Sequence, residues 1–188
     1  MARISFGAFM PQSCAWFLLI LSAGLPRLAL AAQAAPVSIS GQDVNGHPVA
    51  VNGPGHFTVV MYTNPDLEDD SRKVTLALDP YRSRSDFTFV RVVDLRGNVP
   101  PEMRGMVRLQ IRKEEAKESA RLKKAGVDAS NEAPIIPDFS GSTLDALGWD
   151  SVYDTVHLVV YDTHGREIKR LTSVTDARQV TRVVDSIL

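Results

Sequence analysis

Apolar residues recur along this chain at two spacings, and the alternation between them predicts the elements. Phe57-Thr58-Val59-Val60-Met61-Tyr62 is an uncharged β-branched and aromatic run of strand length, the pattern of a central strand covered on both faces. Asn64-Pro65-Asp66 follows it directly. Glu68, Asp69 and Asp70 then crowd a first helical turn, where carboxylates meet the positive end of the helix dipole. Leu67, Val74, Leu76 and Leu78 carry the helical spacing to Asp79-Pro80, which predicts its end. Phe87-Thr88-Phe89-Val90-Arg91-Val92-Val93 is a second strand, so strand, helix and strand in this order predict a right-handed crossover and a parallel pair.

In the second half, Pro100-Pro101 opens a longer helix. Met103, Met106, Val107 and Ile111 form its predicted apolar face, the charged stretch 112–124 continues it, and Gly126 stops it. Residues 127–137 read as polar, proline-rich loop. Ser142 is placed to cap a short helix to Leu147. Val156 to Tyr161, the turn Asp162-Thr163-His164-Gly165 and Glu167 to Leu171 predict a β-hairpin with glycine at a bulge. A last helix, capped by Thr175 or Asp176, aligns Val180, Val183, Val184, Ile187 and Leu188 on one face. Before the central strand, Val37 to Val51 reads as a short strand pair turning at Asn45-Gly46, and Asn52-Gly53-Pro54-Gly55 breaks the chain.

The amino terminus changes the picture. Arg3, the uncharged run from Ala15 to Leu25 and small residues up to Ala35 have the order of a secretory signal peptide, and the run is short for a membrane span. Ala29-Leu30-Ala31 and Ala32-Gln33-Ala34 both fit a cleavage pattern, the second better. The expected organisation is a signal peptide over 1–34 and one domain over 35–188. Cys14 is the only cysteine and falls in the first segment, so the domain must be stable without disulfides although an exported protein could use them. Residues 1–34 hold two arginines and no acid, which leaves 19 basic and 22 acidic residues, a net −3, in the domain. That balance gives no electrostatic case for nucleic acid.

This element order resembles the thioredoxin-like superfamily, including redoxins and peroxiredoxins. Asp43-Val44-Asn45-Gly46-His47-Pro48-Val49 and Val160-Tyr161-Asp162-Thr163-His164-Gly165-Arg166 look like its early and late hairpins. The resemblance covers about residues 37–188. It implies an α/β three-layer sandwich: a mixed central sheet flanked by helices, with an N-terminal hairpin extension. It also implies a reactive-cysteine loop directly after the central strand, and here that loop is Thr63-Asn64-Pro65-Asp66-Leu67, without a thiol. Where the family has a cis-proline before the hairpin strand, this chain has Asp154-Thr155-Val156. The expectation is a cysteine-less periplasmic member.

Ligands of open α/β sheets gather at the carboxyl ends of the strands. That rule selects Asn64, Pro65, Asp66, Asp94, Arg96, Asp154 and Thr155 as the candidate ligand edge. Arg104, Arg108 and Arg112 recur every fourth residue and form a candidate stripe for an anion or an acidic partner, with Arg91 and Arg96 nearby; a solvated face neutralised by Glu114, Glu115 and Glu118 is the plainer reading. Glu68, Asp69 and Asp70 need no metal to explain them. The four histidines lack the spacing of a zinc site. Ser140 or Ser142 with His157 has no nucleophile elbow around it. No phosphate loop or dinucleotide fingerprint is present, so no cofactor is expected. Trp149 and Tyr153 read as core aromatics. The predicted function is an exported, non-catalytic domain that binds a partner protein, peptide or small ligand in the cell envelope. The alternative is a non-thiol enzyme using Asp66, Asp94 and Arg96 as acid, base and anion holder.

Overall fold

A computed structural model describes residues 38–128, 135–149 and 154–188. The predicted signal segment and Tyr153 lie outside them. A two-stranded antiparallel sheet, β1 (Ser40–Gln42) and β2 (Pro48–Ala50), precedes the main body. The body is a five-stranded mixed sheet in the order β5-β4-β3-β6-β7. Its strands are β3 (Phe57–Thr63), β4 (Phe87–Asp94), β5 (Ile135–Asp138), β6 (Val156–Tyr161) and β7 (Glu167–Val174).

β3 lies at the centre, parallel to β4 and antiparallel to β6, as its apolar sequence predicts. Residues 58–63 are all buried. α1 (Glu68–Leu78) makes the crossover to β4, and α2 (Arg104–Lys124) makes a second one to β5, which pairs parallel with β4. Two successive right-handed crossovers in one direction set both helices on one face of the sheet. α4 (Ala177–Asp185) joins that face by packing on α1. Asp176 is its cap, accepting from the Arg178 N–H, and Val180 and Val184 are its buried residues. The other face carries α3 (Ser142–Ala146), Trp149 and the small sheet, where Gly41 lies so close to Ile136 that a Cβ would sit 2.6 Å from its side chain.

Three expectations are corrected. Residues 135–137 are not loop but most of β5, buried at the sheet edge. An edge strand tolerates Pro137 because it needs fewer N–H donors. The helix over 142–146 is capped by Asp138, not Ser142: Gly141 is at its N-cap position, and the Asp138 carboxylate accepts from the N–H groups of Gly141 (2.7 Å), Thr143 (2.9 Å) and Leu144 (3.2 Å). Met103, just before α2, and Met106 on it are exposed at 44% and 66%, and Leu122 is the buried residue of the helix.

The turn at Asn45-Gly46 proves to be a five-residue loop organised by Asp43, whose Oδ1 accepts from the N–H groups of Asn45 and His47, both at 2.8 Å. Asp162 organises the β6–β7 loop in the same way, accepting from His164 and Arg166. Gly165 in that loop has φ +75° and lies against Asn52, so that a Cβ would sit 2.5 Å from the Asn52 carbonyl oxygen. Asn52 ties the segment before β1 to the β6–β7 loop, donating to the Gly165 carbonyl and accepting from the Ile39 N–H.

Candidate functional site

Strand register decides which predicted residues meet. Asp94 pairs with Asp138 across β4 and β5. Continuing the β3–β4 register by one residue sets Asn64 beside Asp94, and continuing the β3–β6 register by two sets Thr155 across from Asn64. The carboxyl edge of the sheet is therefore the row Asp138, Asp94, Asn64, Thr155. The first three are buried, at 3%, 7% and 8% exposure.

These buried polar groups are engaged. Asn64 caps the chain entering α1: its Oδ1 accepts from the N–H groups of Asp66 (2.9 Å) and Leu67 (3.2 Å), and Pro65 takes the first position of the 3-10 turn Pro65–Leu67. Asp94 is held by Arg96, which donates from its backbone N–H and, two-pronged, from Nε and Nη2, the latter at 2.8 Å. Asp138 caps α3 and accepts from the Tyr62 hydroxyl at 3.4 Å. Burial, together with the charges of Asp138 and Asp94, holds the Tyr62 hydroxyl far above its usual pKa, so it stays a neutral donor. Trp149 packs edge-on against Tyr62 and His157, with the Arg170 guanidinium 4.9 Å from its ring centre. Trp149 is thus core, as expected, while Ser140 and Ser142 bond to each other.

Pro65, Asp66 and Asp154 are the exposed members of the predicted edge. Thr155 is half-buried and donates to the Thr172 carbonyl at 3.4 Å. The arginine stripe divides. Arg104 and Arg108 turn toward the body, their guanidinium carbons 5.3 and 5.5 Å from the Phe139 ring centre, and Arg108 donates to the Asp43 carbonyl. Arg112 is exposed.

The opening at this end of the molecule lies on the helix-bearing face. A groove of about 670 Å³ runs between α1 and α2 from the Asn64-Pro65 loop. Met61, Thr63, Arg91 and Val93 form its floor, with Leu95 and Ile135 beside them. α1 contributes Glu68, Arg72 and Leu76, and α2 contributes Val107, Gln110, Ile111 and Glu114. The groove's far end is closed by an ion network. Arg121 donates to Asp79 (2.7 Å) and Glu118 (2.8 Å), and Arg82, whose side chain is 4% exposed, donates to Glu118 (2.8 Å). Hydrogen bonding from Arg121, ahead of that from Arg82, holds the Glu118 carboxyl down at about 2 against the cost of its burial.

Sequence reasoning did not find this groove, because it depends on how α2 docks. Asn64 and Pro65 of the predicted edge do line it, and Arg91, a cation within an otherwise apolar strand, was a further signal. It belongs to the groove floor rather than to the arginine stripe. Among the described residues, no three of His, Cys, Asp and Glu converge as metal ligands, and no helix is long and apolar enough to cross a membrane.

No family model and no curated protein matches this sequence. Solved structures match its fold. The exposed lipoprotein thioredoxin of Streptococcus pneumoniae aligns over 80% of this chain and 99% of its own, with 14% identity and a TM-score of 0.53. DsbF of Mycobacterium tuberculosis aligns over 82% and 98%, with 14% identity and 0.54. The thioredoxin domain of a thiol-disulfide oxidoreductase from Bacteroides vulgatus aligns over 81% and 93%, with 16% identity and 0.51. Identity at this level speaks for the fold alone. The described residues carry the thioredoxin-like fold, with Asn64-Pro65-Asp66-Leu67 in the loop after its central strand.

Proposed function

We propose that this chain is an exported, non-catalytic thioredoxin-fold protein of the cell envelope. It binds a peptide, a partner protein or a small ligand in the groove between α1 and α2. One observation carries the reading: the loop after β3 holds no thiol and Asn64 is spent on capping, yet a groove of about 670 Å³ with Met61, Val93 and Arg91 in its floor opens at that same loop. A pocket of that size, where apolar side chains alternate with polar and charged ones, suits a side chain or a small molecule with both kinds of group. Residues 35–188 have no cysteine, so neither disulfide exchange nor thiol peroxidation has a nucleophile. Export is supported by the amino-terminal pattern of one cation, an apolar run and small residues, with residues 1–34 removed as a signal peptide and the product periplasmic. A neighbour described as an exposed lipoprotein agrees with that location.

The enzyme alternative has less support, because Asp94 and Arg96 are bound to each other in a two-pronged pair and Asp66 stands exposed on another loop. A photo-crosslinking residue at Gln110, on the groove wall, tests the binding reading in the native compartment. A discrete adduct from Gln110, absent from the same probe at Lys169 on β7, is the expected result. Adducts no different from those of Lys169 would overturn it.

A further inference from the structure

α2 sorts its charges by sign around the helix axis. At 100° per residue, Glu114, Glu115 and Glu118 fall on the half that meets the groove and the body. Their contacts agree: Glu118 joins the ion network with Arg82, and Glu115 accepts from the Ile135 N–H at 2.7 Å. Arg104 and Arg108 lie on that inner half too, against Phe139. The opposite half carries Arg112, Lys113, Lys117, Lys123 and Lys124 and no acid, and all five are exposed. Between the two cation rows lie Leu109, exposed at 48%, and Ala116 and Ala120, while Met106, exposed at 66%, falls in line with Lys113 and Lys124. This surplus is local, because the domain as a whole is net acidic.

We infer that the outer half of α2 is an attachment face for an anionic phospholipid surface. The shape favours a bilayer over an acidic protein. The face is the convex side of one helix 21 residues long, and it offers a flat surface a line of contact. Cations on both sides of Leu109, Ala116 and Ala120 can extend their heads to lipid phosphates, while Leu109 and Met106 rest against the headgroup region. Only Lys117 is drawn into a pair, with Glu114 at 2.7 Å on the exposed surface, where such pairs exchange readily with other anions. Lys117 borders the groove, but Arg112, Lys113, Lys123 and Lys124 lie outside it, so a lipid-attached molecule would keep most of the groove accessible.

The test is co-sedimentation of the protein recovered from cells with vesicles of phosphatidylcholine alone and of phosphatidylcholine mixed with phosphatidylglycerol. Binding is expected to the mixed vesicles only, and to fade as salt is raised. With each cation worth roughly fivefold near an anionic bilayer, exchange of Arg112, Lys113, Lys123 and Lys124 for Gln should weaken it by about several hundredfold. Lys73→Gln with Lys169→Gln, elsewhere on the surface, should leave it unchanged. All these side chains are exposed, and Trp149 fluorescence checks that each variant is folded. Equal binding to neutral vesicles, no binding to either, or a quadruple variant that binds like the wild type would overturn the proposal. So would polyglutamate capture by the same residues without vesicle binding, which would make the partner an acidic protein.

Discussion

Replacing Glu118 with Gln keeps the size of the side chain and removes only its charge from the network that fastens α2 to the turn after α1. Arg82, nearly fully buried, and Arg121 both donate to Glu118, and Asp79 remains as a second acceptor for each. The Glu118 carboxyl stands at about 2, against 4.5 for an unperturbed one. That gap corresponds to about 3 kcal/mol in favour of the ionised form in the folded state. Because the folded value is the depressed one, the stabilisation is complete above pH ~4.5 and disappears as the pH falls toward ~2. Glu118→Gln should therefore lower unfolding stability by about 3 kcal/mol near neutral pH and the melting temperature by about 10 °C for a domain of this length. Urea unfolding followed by Trp149 fluorescence measures it. The difference between wild type and variant should shrink steadily between pH ~4.5 and ~2. A loss below about 1 kcal/mol, the usual range of an exposed pair, would refute the reasoning, and so would a difference that stays constant with pH.

Other perturbations follow from the same contacts. Asp138→Ala removes the acceptor for the N–H groups of Gly141 and of Thr143 and Leu144 in α3, and for the Tyr62 hydroxyl, and should cost about 2–4 kcal/mol in chemical denaturation. Arg104→Gln with Arg108→Gln gives up two guanidinium contacts to Phe139, so hydrogen exchange should show the amino-terminal half of α2 opening more readily, with a loss of about 1–2 kcal/mol. Gly165→Ala forces a Cβ onto the Asn52 carbonyl in a left-handed conformation, and the melting temperature should fall by several degrees, about 1–3 kcal/mol.

The sheet was legible in the sequence wherever a run of β-branched and aromatic residues decided the outcome locally: β3, β4 and the β6–β7 hairpin fall where the pattern put them. α4 was legible because its valines repeat at helical spacing and Asp176 stands at its start. β5 was hidden by its length of four residues and by Pro137, which argues against a strand anywhere except an edge. The cap of α3 was hidden because it comes from Asp138, outside the position beside the helix where Ser142 invited the reading. α2 misled most. Met103 just before it and Met106 on it imitate a buried face, whereas Val107 and Ile111 of the same predicted face do line the groove, and the helix also docks through charges, in the Glu118 network, the Glu115 contact and the arginines on Phe139. Which cations face outward depends on that docking, so the outward set is Arg112 with the lysines and not the Arg104-Arg108-Arg112 stripe. At the candidate edge, the pattern placed Asn64, Asp94 and Thr155 in the same row, but not their partners: Tyr62 and Asp138 came into contact only through the fold.

The central claim is that a thioredoxin fold serves here without thiol chemistry, and turnover measures it most directly. The wild-type protein is assayed for insulin reduction and peroxide consumption beside a double variant, Asn64→Cys with Leu67→Cys. These positions have the spacing of a reactive pair at a strand-to-helix junction, where the helix start favours a thiolate. The wild type is predicted to show no turnover in either assay, while the variant closes an intramolecular disulfide under mild oxidation and reduces insulin. Turnover by the wild type would contradict the account, and a variant whose cysteines pair only between molecules would contradict the placement of the loop on which it rests.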